Sequence, residues 1–183
     1  MYANESAVLW ALGIAADESH GYDQDNRWGP DYDCSSLVIQ AFEQAGIHTA
    51  VNGASYTGDM KAAFIKSGFM DVTSLVNLAN AGNMLRGDVL LRESGHAAIY
   101  TGNGRLVNAQ WNELGKKTGG VTGDQTGKEI CERSYYNSPW SCVLRLQVGT
   151  PGVPWSGPFV GFIPTKTKGH LKVMKRYYIG GVG

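Results

Sequence analysis

The chain has few cysteines and none of the pairings that hold metal. Cys34, Cys131 and Cys142 are the only three, no Cys-x-x-Cys occurs, and His20, His48, His96 and His170 are scattered through 183 residues. No metal site or other cofactor is therefore expected. No apolar run is long enough to cross a bilayer. The one apolar stretch near the start, residues 7–16, has no Lys or Arg before it; Glu5 precedes it and Asp17-Glu18 follow. That is the pattern of a first helix, not of a signal peptide. Net charge is zero, and a basic footprint is missing where it would matter. Residues 1–146 hold 11 Lys and Arg against 16 Asp and Glu. Six acids, Asp17, Glu18, Asp23, Asp25, Asp31 and Asp33, crowd residues 17–33, with Arg27 the one basic residue among them. Nucleic acid is excluded as an expected partner, because phosphate binding needs cations at the site. Acids are absent in turn from residues 147–183, which carry five Lys and Arg. No internal repeat is present.

What is there begins with Asp33-Cys34-Ser35-Ser36, which stands directly before an apolar stripe at helical spacing, Leu37, Val38, Ala41, Phe42 and Ala45. Asp33 suits the N-cap and Gly46 the C′ stop. Cys34 then falls in the first turn, where free N–H groups and the positive end of the helix dipole favour thiolate over thiol. A small buried residue would look the same when taken alone. The second element is Gly95-His96-Ala97-Ala98-Ile99-Tyr100-Thr101, followed by Gly102-Asn103-Gly104 and Arg105-Leu106-Val107-Asn108-Ala109-Gln110. This is a hairpin pattern, and its loop length decides which side chains share a face. A two-residue loop would set His96 opposite Trp111. A three-residue loop, with Gly104 left-handed, pairs Ala98 with Asn108 and puts His96 diagonal to Asn108. The second register is the expected one, because it gives the imidazole a polar partner that can fix its tautomer. Gln110 and Asn112 project to the same face and stay open as alternatives for that partner.

Asp-Cys-Ser-Ser at a helix start, Gly-His-Ala-Ala-Ile-Tyr on a strand and a polar residue twelve positions after the histidine resemble the NlpC-type and CHAP-type papain-like cell-wall cysteine hydrolases, above all phage lysin amidases and endopeptidases. The resemblance spans about residues 5–147. It implies Cys34 as nucleophile, His96 as general base and then acid, and Asn108 as orienting third member, a position often held by histidine in the NlpC-type branch. It makes Tyr22 a substrate-side residue and Arg86-Gly87-Asp88-Val89 a strand entry. Asp33, Ser35 and Trp111 are candidate substrate contacts, with Asp33 or a neighbour as receiver of a stem-peptide amine. Trp28, Tyr22 and Trp111 would supply apolar walls. The implied substrate is peptidoglycan and the implied site of action the bacterial cell wall, reached without a signal peptide by release from a host cytoplasm, as a phage or prophage lysin is. A cysteine acyltransferase or transglutaminase, a wall-binding module without turnover, and a general protein-cleaving relative are the competing readings.

The expected fold class is α+β and papain-like, with N-terminal helices packed on a central antiparallel sheet. Helices are expected over 5–16, 34–45 and from Thr57 or Asp59 to Ser67, and strands near 87–91, 96–101, 105–111 and 141–148. Residues 115–127, with five glycines, read as a mobile loop beside the cleft. Cys131 and Cys142 could pair in an oxidising space, although the reduced state is expected. A boundary is expected at Val148, where Gly-Thr-Pro-Gly-Val-Pro-Trp begins. That gives a catalytic domain over 1–148 and a Pro/Gly-rich linker with a basic arm over 149–183, for self-association or wall contact.

Overall fold

The computed structural model describes residues 2–147, so the expected boundary and the basic arm lie outside the described residues. Helix α1 (Ala3–Ala15) buries Ala7, Val8 and Ala11. Helix α2 (Cys34–Gln44) begins where the sequence says it should. Asp33 is extended, its Oδ1 accepts the Ser36 N–H at 2.7 Å, and Ser36 Oγ accepts the Asp33 N–H at 2.9 Å. This reciprocal cap satisfies two of the donors that a helix start leaves open. Gly46, at φ 81°, lets the chain turn out of the helix. Helix α3 (Thr57–Lys66) is started by Asp59, whose Oδ1 accepts the N–H groups of Ser55 and Tyr56 at 2.8 and 3.1 Å.

Six strands follow: β1 (Phe69–Asp71), β2 (Val89–Arg92), β3 (His96–Gly102), β4 (Arg105–Ala109), β5 (Ile130–Ser134) and β6 (Cys142–Leu146). They form one antiparallel sheet in the order β1-β6-β2-β3-β4-β5. Both faces are covered. Val89, Leu91, Ala97, Ile99, Val107 and Leu144 face the helices, meeting Val38, Phe42 and Phe64. There Phe42 sits edge-on to Phe64 and Phe69, with centroids 5.7 and 4.9 Å away. Leu90, Ala98, Tyr100, Leu106 and Val143 face the other way, under Val72, Met84 and Trp140. The papain-like α+β arrangement is thus the one expected, with two strands added. β1 and β5 were not anticipated.

The β3–β4 hairpin reaches its expected register by a different route. Asn103 and Gly104, at φ 51° and 70°, make a two-residue turn that joins Gly102 to Arg105. A bulge between Tyr100 and Gly102 then absorbs one residue, so that Tyr100 faces Leu106 and Ile99 faces Val107. Carried one step further, this register sets Ala98 against Asn108. A flawless two-residue hairpin would have turned Asn108 away from His96.

All three cysteines are free, and the fold closes the question of a bridge. Cys131 lies on β5 and Cys142 on β6, with β2, β3 and β4 between them. Four strand spacings put them about 19 Å apart, far beyond what a disulfide spans. The glycine-rich segment is not the free loop that was expected. Asn112 Oδ1 accepts the N–H groups of Leu114 and Lys116, and Asp124 accepts those of Thr126, Lys128, Glu129 and Ile130. Asp31 ties the segment to residues 17–33 by accepting both Gly21 N–H and Gly123 N–H.

Candidate active site

Cys34 is the first residue of α2 and 6% exposed. The backbone N–H groups of Ala97, Ser35 and Cys34 itself favour its ionised form. Helix α2 packs on β3, where Ala97, the residue following His96, faces the helices. An open cleft of about 400 Å³ reaches the sulfur, lined by Gln24, Arg27, Asp33, Ser35, Tyr56 and Gly95 among others.

His96 opens β3 and is 8% exposed. Trp140 stacks on its ring at 5.6 Å and 17°, with Tyr136 beyond at 6.5 Å and 29°. Its Nε2 lies 2.9 Å from Tyr136 OH and 2.9 Å from Asn108 Nδ2. Asn108 Nδ2 also donates to Tyr136 OH at 2.9 Å, and Gln110 Nε2 donates there at 3.0 Å. Nε2 is therefore the tethered nitrogen, and Nδ1 makes no bond within the described residues. Asn108 is fully buried, and its Oδ1 has no partner among those residues. A half-turn of this amide exchanges donor and acceptor. Oδ1 then accepts Nε2–H, and the lone pair is left on Nδ1.

The expected site residues divide by placement. His96 and Asn108 are brought together on the β3–β4 hairpin, and Cys34 opens the helix that packs on those strands. Of the alternatives for the third position, Gln110 reaches the ring only through Tyr136, and Asn112 is spent on its own loop, donating to Thr118 O at 3.1 Å. Tyr22 is buried beside the thiol, and its hydroxyl accepts from Gln24 Nε2 at 3.0 Å. Burial foremost, then the nearness of Cys34, keeps that hydroxyl protonated. Asp33 lines the cleft but is engaged on both oxygens: Oδ1 accepts from Ser36 N–H and from Ser35 Oγ at 2.8 Å, and Oδ2 pairs with Arg27 at 2.7 Å. Its carboxylate caps the helix and fixes Arg27 and Ser35. Ser35 itself is buried between the two. Trp111 is 53% exposed, carries the Lys117 ammonium 5.8 Å over its ring, and lies outside the cleft lining. Trp28 is likewise exposed, with Arg27 4.9 Å over its ring.

One electrostatic expectation is reversed. Burial, followed by the Asp33 charge, pushes the Cys34 thiol up to about 11 and outweighs the N–H groups that pull it down. Burial, aided by Arg92 and Arg133, holds His96 down to about 4. Both shifts run against the charged forms, thiolate and imidazolium. Helix-start donors are worth a fraction of what desolvation costs a sulfur anion enclosed on most sides. Tyr136 and Trp140 had not been expected at the site at all. Their one trace in the sequence is the aromatic run Tyr135-Tyr136-Asn137-Ser138-Pro139-Trp140.

The endolysin-like domain model matches residues 29–106 and 106–150, and the chain belongs to that family. Among solved structures it is similar to RipA, the resuscitation promoting factor interacting protein, in a histidine-mutated form, at 18% identity over 78% of this chain and 63% of that one, with a TM-score of 0.47. NlpC1 from Trichomonas vaginalis aligns at 18% identity over 80% and 44% with a TM-score of 0.46, and a hypothetical invasion protein of Mycobacterium tuberculosis at 18% over 78% and 62% with 0.47. The chain spans less than two thirds of the length of each. No curated protein matches the sequence. Among the described residues no helix is long and apolar enough to cross a membrane.

Proposed function

We propose that the protein cleaves an amide bond of peptidoglycan, in the stem peptide or at the muramoyl–L-alanine link, through an acyl-enzyme on Cys34. The observation that carries this reading is the His96 ring held at Nε2 by Asn108 and Tyr136 on the strand that α2 packs against, with Cys34 opening that helix on a cleft. His96 Nδ1 takes the thiol proton as sulfur attacks the carbonyl carbon. It returns that proton to the leaving nitrogen as the C–N bond breaks. Water then gives a proton to His96, its oxygen bonds to the acyl carbon, the C–S bond breaks, and the sulfur is reprotonated. Starting from neutral partners, the proton moves with the attack, and no ion pair is needed beforehand. The N–H groups at the α2 start are positioned to receive the oxyanion. Asn108 orients the ring. Tyr22 and Ser35 border the acyl side, and Asp33 acts through Arg27 and Ser35. The enzyme acts on the wall as a phage-type lysin, after release from a host cell.

Cys34→Ala is expected to abolish release of new amino groups from purified walls with the fold retained by circular dichroism. His96→Ala should be nearly as damaging, and Asn108→Ala milder. Wild-type release by Cys34→Ala sinks the reading. Mass spectrometry of the muropeptides produced identifies the bond.

A further inference from the structure

We propose that Arg92 is the receptor for a substrate carboxylate carried on the fragment that leaves with the amine. The inference rests on Cys34 and His96 as nucleophile and base. Arg92 ends β2 directly across from His96 in the β2–β3 ladder, so the two side chains rise from the same face of the sheet. Arg133, opposite Leu106 on β5, rises from that face as well.

The two guanidiniums differ in their engagements. Arg133 is spent within the protein: Nη1 donates to Gln110 Oε1 at 2.6 Å, and Nη2 to Lys128 O at 3.0 Å and to Cys131 Sγ. Arg27, Arg86, Arg105 and Arg145 each pair with a carboxylate. Arg92 makes no hydrogen bond and no ion pair with any described residue, and its Nε is buried without a partner. An unpaired guanidinium beside a general base weakens that base, as the low His96 value reflects. Such a cation is useful there when a ligand pairs it, and the planar fork of arginine matches a carboxylate.

The polarity of the cleft says which end of the substrate that ligand occupies. Around Cys34 the cation is neutralised, since Arg27 is closed on Asp33. On the His96 face neither Arg92 nor Arg133 pairs with a carboxylate among the described residues. His96 hands its proton to the leaving nitrogen, so groups on its far side belong to the amine fragment. Stem peptides carry free carboxylates there, and amidation removes that charge without changing the peptide's length.

The test uses two synthetic stem peptides that differ only in whether the carboxylates of the amine-side fragment are free or amidated. Wild type is expected to prefer the free acid about 10- to 100-fold in kcat/KM, the worth of a charged hydrogen-bond pair, with the difference in KM. In Arg92→Gln that ratio should collapse to about one, and Arg92→Lys should retain part of it. Equal handling of both peptides by wild type, or an undiminished preference in Arg92→Gln, overturns the proposal and leaves the hydrolase reading standing. Hydrolysis of neither peptide strikes the hydrolase reading, and titration calorimetry of both peptides then decides. An Arg92-dependent preference for the free acid supports the receptor, and equal affinities overturn it.

Discussion

Removing one oxygen atom tests whether the His96 environment is a built device. In Tyr136→Phe the ring that stacks toward Trp140 keeps its shape, while the hydroxyl that meets His96 Nε2, Asn108 Nδ2 and Gln110 Nε2 at 2.9, 2.9 and 3.0 Å is lost. Asn108 is fully buried, so its amide cannot recover the lost partner from water. Leaving a buried donor unmet costs about 1–3 kcal/mol, and Gln110, which is half-buried and still held by Arg133, adds little. A loss of about 2 kcal/mol corresponds to about 4–8 °C in Tm for a domain of this size. Turnover should suffer separately. With one of two tethers on Nε2 gone, the imidazole samples orientations that do not face the sulfur, and a fall in kcat of about 10- to 100-fold with KM little changed is expected. Turbidity clearance of purified walls gives the rates, and thermal unfolding followed by circular dichroism gives the stability. Wild-type values in both would refute the account of Tyr136 as a positioning residue. A lowered Tm with intact kcat would reduce it to packing.

Stability should fall at both ends of the pH scale. His96, held at about 4 when folded, takes up a proton first in the unfolded chain, so its contribution is full above about 6.5 and declines as pH falls toward 4, by about 3 kcal/mol. Cys34 and Cys142, pushed up to about 11 and about 12 by burial, ionise first in the unfolded chain, so stability declines as pH rises from about 9 toward 11; urea midpoints at pH 5, 7 and 10 read both limbs, and a flat profile would contradict the buried placement. Asp33→Ala should cost about 1–2 kcal/mol through loss of the α2 cap and should also lower wall hydrolysis, because Arg27 and Ser35 lose their shared partner; unchanged urea unfolding would count against the cap.

Legibility in the sequence followed locality. Asp33, the apolar stripe and Gly46 encode α2 within fourteen residues, and that segment puts Cys34 at the helix tip whatever the rest of the chain does. The hairpin was readable because Asn103-Gly104 is a strong turn signal, although the bulge that corrects its register leaves no letter pattern beyond Gly102. β1 has only three residues, and β5, Ile130-Cys131-Glu132-Arg133-Ser134, is a half-exposed edge without clean alternation. Neither carries enough periodicity to be seen. Tyr136 and Trp140 stand outside regular structure, and their partners at the site are 26 to 44 positions upstream, so no window of sequence contains the contact. The burial of Cys34 was hidden for a related reason. The helix start is a local property and was visible, whereas the burial that overrides it comes from β3, some sixty residues away.

The placement of β6 has a consequence for how the molecule is made. Every reactive group, from Cys34 through Asn108, leaves the ribosome before residues 142–146, yet that final segment is the one inserted between β1 and β2. Until it arrives, β1 has no strand to pair with, and closure depends on contacts that are distant along the chain. Nascent chains that lack residues 142–146 should therefore carry the chemistry without the alignment, and competence should come abruptly once that strand is in place.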